Sequence, residues 1–169
     1  MHKIIAEARS IVRVQTWSLE MDIPRELLAW WGNTWPDRVG VVTQGNAATS
    51  ICVGPTEWLT LSSNDDRNQL LQNMKIALEG STFKAIDVSQ SLIQIRILGE
   101  HSRSVLEKGC SLDFAVEQFK VGGSSRTRVA AIPVLIWRRA EDEFVCLVAR
   151  SYREYFQAWL DDASMEYLL

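Results

Sequence analysis

From residue 50 onward the chain alternates short apolar runs with polar breaks. Ile51-Cys-Val53 and Trp58-Leu-Thr-Leu61, rich in β-branched and aromatic residues, flank Gly54-Pro-Thr-Glu57 and predict a β-hairpin. Leu70, Leu71, Met74, Ala77 and Leu78 then recur at helical spacing until Gly80, with Ser63 or Asn64 as a cap and Asp65 and Asp66 in the first turn. That pattern predicts a helix with one buried face. Phe83 to Val88 and Ser91 to Leu98 read as strands. In the second, Ile93, Ile95 and Ile97 alternate with Gln94 and Arg96, so its other face should be wet or paired with polar groups.

Ile95 to Asp113 reads as a strand running through Gly99 into a short helix that ends at Gly109 and Cys110. Thr127 to Trp137 follows as one long strand with an edge or a bulge at Pro133, which cannot donate to a ladder. Arg138-Arg-Ala-Glu-Asp-Glu143 reads as a charged turn and Phe144 to Val148 as the returning arm of a hairpin. The chain closes on a helix: Ser151-Tyr-Arg-Glu154 has capping-box spacing, and Tyr152, Tyr155, Phe156, Trp159, Leu160 and Ala163 form one stripe.

Before residue 50 the pattern is less regular. Ile11 to Val14 and Arg38 to Thr43 are extended pieces, and Pro24 and Gly32 bracket a short helix from Asp22. Strand pair and helix alternate three times, which predicts an α+β fold: antiparallel sheets with helices on one side, arranged as two ferredoxin-like split βαβ halves. No linker divides the 169 residues, so one domain is expected, with 1–49 an irregular N-terminal segment and 50–169 its core.

Composition narrows the function. The formal net charge is −3 and Lys/Arg residues do not cluster, which argues against nucleic acid as a partner. No apolar run approaches the ~20 residues of a membrane span, and the N-terminus lacks a signal-peptide pattern, so a cytoplasmic location is expected. Cys52, Cys110 and Cys146 are odd in number and far apart, consistent with reduced thiols rather than disulfides or a zinc site.

Four stretches resemble the gamma, or small, subunit of heterotetrameric sarcosine oxidase and related N-methyl amino acid oxidases and dehydrogenases. They are Val53-Gly-Pro-Thr-Glu-Trp-Leu59, Ile86-Asp-Val-Ser-Gln-Ser91, Leu98 to Asp113, and Arg150-Ser-Tyr-Arg-Glu-Tyr-Phe-Gln-Ala-Trp-Leu160. The resemblance spans residues 50 to 163 and implies a fold related to the folate-binding aminomethyltransferase of glycine cleavage. It also implies a non-catalytic subunit of a complex that oxidatively demethylates sarcosine or a similar N-methyl amine, with alpha, beta and delta subunits as partners. FAD, FMN, NAD, tetrahydrofolate and zinc would lie in those partners, and none would be bound by this chain.

The residues themselves offer few reactive groups. A phosphate cradle needs several glycines, whereas Gly99 alone precedes its helix and Glu100 occupies the dipole end. Cys110 lies past a helix C-terminus, where a thiolate is disfavoured. His101 has no second ligand at metal spacing. Asp87 could orient an amine, but Asp87-Val-Ser89 reads as a turn closed by side-chain-to-backbone hydrogen bonds. Gly122-Gly-Ser-Ser125 could form an anion nest or a mobile loop, with Arg126 and Arg128 beyond it able to meet a partner's carboxylates.

No catalytic, cofactor or metal residue is assigned. A partner surface is expected instead at Trp30, Trp31 and Trp35, crowded in the irregular segment, together with Arg126 and Arg128. Trp58, Trp137 and Trp159 lie on regular elements and read as core. Two other readings stay open: a stand-alone folate-binding or one-carbon-transfer protein, and a self-associating module that binds a small effector.

Overall fold

The structure, a computed structural model, describes residues 3–7, 10–17, 35–45, 48–62, 67–79 and 82–167. The proposed helix from Asp22, the caps at Ser63 and Asn64, and Gly80 lie outside them. Two compact units emerge, one of residues 8–90 and one of residues 1–7 with 91–169.

The first unit holds β2 (Ser10–Thr16), β3 (Val42–Gln44), β4 (Ala48–Gly54), β5 (Glu57–Ser62), the helix α1 (Arg67–Ala77) and β6 (Phe83–Asp87). Its sheet runs β3-β4-β5-β2-β6, antiparallel throughout. Because β2 lies between β5 and β6, the stretch β5-α1-β6 is a split βαβ unit. Period-two alternation makes β2 a half-buried strand: Val12 and Val14 turn inward while Arg13 and Gln15 are exposed. Leu70 and Met74 on α1, with Leu78 just past its end, are spaced four apart and close over Val12, Val14, Cys52 and Trp58. Strands β2 and β3 thus come from the segment before residue 50, and β2 is an interior strand of its sheet, between β5 and β6.

The second unit holds β1 (Lys3–Glu7), β7 (Leu92–Leu98), the helix α2 (Ser102–Glu107), β8 (Ser124–Val129), β9 (Ile132–Ala140), β10 (Glu143–Ala149) and the helix α3 (Arg153–Ser164). Its sheet order, β8-β9-β10-β7-β1, repeats the first with one permutation. The place beside β7 that a strand following α3 would take is filled by β1, from the other end of the sequence. The two ferredoxin-like halves are therefore present, one continuous and one permuted, with α1 packed on one sheet face of the first and α2 and α3 on one sheet face of the second. On that face Ile93, Ile95 and Ile97 meet Phe144, Cys146 and Val148 under Phe156, Leu160 and Ala163.

Several local expectations are corrected. Gln94 is 3% exposed rather than wet, whereas Arg96 pairs with Glu143 at 2.9 Å, the polar pairing expected on that face. The capping box of Ser151 and Glu154 does not form. A 3₁₀ turn, Arg150–Tyr152, leads into α3, whose first position has no side-chain cap. The inward stripe of α3 is narrower than expected: Phe156, Leu160 and Ala163 are buried, whereas Tyr152 and Tyr155 are 40% and 52% exposed.

The long strand from Thr127 is in fact two. Ala130 and Ala131 form a two-residue hairpin turn with φ of 49° and 69°, the left-handed region that such turns require and that Asn-Gly normally supplies. Pro133 lies one residue beyond the β9–β10 ladder and faces only β8, so the edge expected at that proline is present. The turn is held from three sides. Ala130 N–H donates to Gly109 O at 3.0 Å, Tyr155 Oη donates to Ala130 O at 2.9 Å, and Arg128 Nη2 donates to Ala131 O. Exchanging Ala131 for glycine removes a left-handed penalty of ~1–2 kcal/mol and adds the chain entropy of glycine. A net gain of about 1 kcal/mol in urea unfolding is expected.

Arg138 is the other departure. It belongs to β9 rather than to a charged turn, and it is 2% exposed. Its Nη1 donates to Phe114 O and Phe119 O at 3.0 and 2.9 Å, and its Nη2 donates to Glu141 O at 2.9 Å. The guanidinium also lies 5.4 Å from the centroid of the Phe144 ring. One arginine thereby pins the segment that carries Phe114 and Phe119 over the core.

Candidate partner interface

The groups that the sequence offers for chemistry are engaged in framework contacts. Ser89 closes the turn after β6: its N–H and its hydroxyl both donate to Asp87 Oδ1, at 2.8 and 2.5 Å. Ser89 Oγ accepts the Ile11 N–H at 2.8 Å, which ties that turn to β2. The Asp87 carboxylate is thus the acceptor of a structural turn, as the Asp-x-Ser spacing implies.

Gly99 has φ of 115°, its N–H donates to Asp142 O at 3.0 Å and its carbonyl accepts the Ser102 N–H at 2.9 Å. The backbone that could approach an anion is therefore committed to the turn. Beside it His101 stacks on Tyr167 at 4.4 Å, and Lys108 reaches Glu166 Oε1 and Ala163 O, each at 2.5 Å. This cluster fastens the end of α3 to α2. The Lys108 contact holds the Glu166 carboxyl below its ordinary range.

The glycine loop is neither a nest nor loose. Gly122 N–H donates to Arg138 O and Gly123 N–H to Lys120 O, at 2.8 and 2.9 Å, and Gly123 O accepts the Arg138 N–H at 2.9 Å. Its amides thus extend the entry into β8 instead of converging on a ligand site.

The three cysteines are free and buried. Cys110 accepts the Leu112 N–H at 3.5 Å and lies 3.6 Å from Thr127 Oγ1. Burial pushes the Cys146 thiol far above the range of a free cysteine and raises that of Cys52. A thiol raised in the folded state favours folding below its unfolded value of 9.0, and that contribution is lost as pH rises further. Stability should therefore fall from about pH 9 upward. At pH 8 a thiol reagent should modify Cys146 only as fast as the protein opens, which native and urea-containing time courses compare directly. Among the described residues no group of three His, Cys, Asp or Glu side chains could hold a metal ion, and no helix is long and apolar enough to cross a membrane.

Trp30 and Trp31 lie outside the described residues. Trp35, in the first unit, is half-buried, its ring 5.8 Å from that of Trp58, whose Nε1 donates to Pro36 O at 2.9 Å. Arg126 and Arg128, in the second unit, share one face of β8 and are both exposed. Trp58 and Trp137 are buried at 6% and 4% exposure, and Trp159 is half-buried, in line with their core reading.

The residue missed by the sequence reading is Trp17, 66% exposed. Its signal was parity: along β2, Arg13 and Gln15 point outward, and position 17 continues that row. An exposed tryptophan and two exposed arginines are the residue types that dominate association energies.

Comparison with known proteins gives these exposed residues their context. Residues 29–166 match the model of the "Sarcosine oxidase, gamma subunit family". The sarcosine oxidase subunit gamma of Corynebacterium sp. (strain P-1) is 30% identical over 137 residues, covering 80% of this chain and 66% of that protein. The chain thus spans about two thirds of that relative's length. The heterotetrameric sarcosine oxidase from Corynebacterium sp. U-96, solved in complex with pyrrole 2-carboxylate, matches at 26% identity with a TM-score of 0.84, covering 98% of this chain and 84% of the matched one. Aminomethyltransferase T of the glycine cleavage system from Bartonella henselae shares the fold, with a TM-score of 0.68 at 9% identity over 95% of this chain and 45% of that protein. The family match covers most of the chain, and this chain belongs to the sarcosine oxidase gamma subunit family.

Proposed function

We propose that this chain is a non-catalytic structural subunit of a cytoplasmic, multi-subunit, flavin-dependent oxidase or dehydrogenase that demethylates sarcosine or a similar N-methyl amino acid. Its role is to brace larger subunits of alpha and beta type, in an assembly completed by a delta-type subunit. In this reading FAD, FMN, NAD, tetrahydrofolate and zinc belong to those partners. The observation that carries it is the engagement of Asp87, Gly99, Gly122 and Gly123 in internal hydrogen bonds, within a fold that matches a chain of a heterotetrameric enzyme.

Trp30, Trp31, Trp35, Arg126 and Arg128 are the proposed contact residues, with Trp17 added from its exposure. The test is co-expression with the other subunits of the complex and purification through a tag on this chain. Yellow material that consumes oxygen, or reduces another acceptor, only when sarcosine is supplied is expected, while the lone chain stays colourless and inert. Turnover of sarcosine or of tetrahydrofolate by the lone chain would refute the proposal.

A further inference from the structure

The outer face of α3 is as regular as its buried one. Phe156, Leu160 and Ala163 turn toward the sheet, whereas Tyr155, Ala158, Asp161, Asp162 and Met165, three and four apart, form a second stripe on the opposite side. Every member of that stripe is exposed. Tyr155 and Met165 are 52% and 62% exposed, so large apolar surface stands toward both ends of the stripe. The Tyr155 ring is tethered, because its hydroxyl donates to Ala130 O at 2.9 Å. Between the two, Ala158 carries only a methyl group and leaves the helix open to close approach.

Asp161 and Asp162 stand at the wrong end of this helix. They lie in its last turn, which holds no basic residue, and the negative pole of a helix dipole disfavours carboxylates there. The cation at that end, Lys108, is already committed: it pairs with Glu166 and donates to Ala163 O. Arg153 is at the other end, about 12 Å along the axis from Asp161. Among the described residues, neither aspartate side chain has an ion-pair or hydrogen-bond partner. The free subunit thus carries two charges that its own fold does not use.

We propose that this face of α3 docks a basic segment of a partner subunit, with Lys or Arg side chains meeting Asp161 and Asp162 and an apolar side chain seated over Ala158 between Tyr155 and Met165. This rests on the subunit reading above and adds to it the place and the charge of one contact. The sign of the face repels a phosphate backbone and an acidic lipid surface alike. Successive helical residues point about 100° apart, so the two carboxylates diverge and call for separate cations held on one surface rather than a single shared ion. Those cations would also meet the negative pole of α3, so docking returns the attraction that the free helix lacks. Exposed Tyr and Met beside the charges supply the apolar contact that a merely solvated acidic face would not carry.

The test combines stability with assembly. The free wild-type chain and the D161N/D162N variant are unfolded in urea, and complexes formed by co-expression with each are diluted at low and high salt until they dissociate. The free variant should unfold at the same or a higher urea concentration, since it has lost charge from the disfavoured end of a helix. Its complex should nonetheless fail to form or dissociate at about tenfold or higher concentration, with a deficit that shrinks as salt rises. D161E/D162E, which keeps both charges, should recover most of the loss. Oxidation of Met165 by peroxide should be about fivefold or more slower in the wild-type complex than in the free chain. Wild-type assembly by D161N/D162N, a deficit insensitive to salt, or equal Met165 oxidation in a complex that does form overturns the proposal. A lower urea midpoint for the variant overturns it as well, because the carboxylates would then serve the fold. Failure of the wild-type chain to assemble at all overturns the subunit reading instead.

Discussion

Arg138→Ala is expected to cost about 3–5 kcal/mol of folding stability, because three carbonyls lose their donors and two of them, at Phe114 and Phe119, belong to buried residues. For a chain of this length that corresponds to a drop in Tm of about 10 °C. Arg138→Met separates the causes. Methionine refills much of the volume but donates nothing, so it should recover less than half of the loss. Arg138→Lys keeps the charge but not the planar fork that reaches separate carbonyls, and it should also remain destabilised. Its neighbour Arg139 is the control: it is partly exposed and bonds Glu143 at 3.2 Å, so Arg139→Ala should cost less than about 1 kcal/mol. Urea unfolding of the four variants checks the order. Full recovery with methionine would mean that packing, and not the clamp on the 114–119 segment, is what Arg138 contributes.

Gly109→Ala should cost about 2–3 kcal/mol, and the reason is space rather than backbone angle. A Cβ there would drive into Cζ2 of Trp159, lie 3.0 Å from Cη2 and come within 3.1 Å of Ala130 N. The indole is braced by Phe156, its ring centroid 6.1 Å away, so relief requires α3 or the Ala130 turn to move. In a Trp159→Ala background the added methyl should cost less than about 0.5 kcal/mol, and a double-mutant cycle reads the difference as coupling. Gly122 is the contrast. Its φ is +83° and nothing lies within 4 Å, so Gly122→Ala should cost only the left-handed penalty of ~1–2 kcal/mol. Equal costs for Gly109→Ala in both backgrounds would show that Trp159 is not the obstacle.

These two residues also show where sequence reasoning reached and where it stopped. Period-two and helical spacings located β4, β5, β7, β10, α1 and α3, because burial of one face is what those spacings record. Asp87-Val-Ser89 was legible for a similar reason, since its hydrogen bonds close within the motif itself. Gly109 was legible as a landmark at the end of α2, but its contact with Trp159 spans fifty residues of sequence and leaves no local trace.

Arg138 sits beside Arg139 in a charged run, and only the loop that folds over it reveals that one of the two is buried. The hairpin at Ala130 was hidden because alanine carries none of the composition that normally marks a left-handed turn. Trp17, by contrast, was readable from parity along β2. Of the proposed contact residues, Arg126 and Arg128 share one exposed face of β8, a placement that required knowing where that strand begins.

The seat of β1 has a consequence for biosynthesis. Lys3 pairs with Leu98, so β1 has no partner until about ninety more residues have followed it from the ribosome. At about 5–20 residues per second this is a delay of roughly 5–20 s, during which the sheet of residues 8–90 has time to form. Closure of the last sheet is therefore set by the arrival of β7 and β10, and a bulky fusion placed ahead of Lys3 would be felt first in the C-terminal half of the protein.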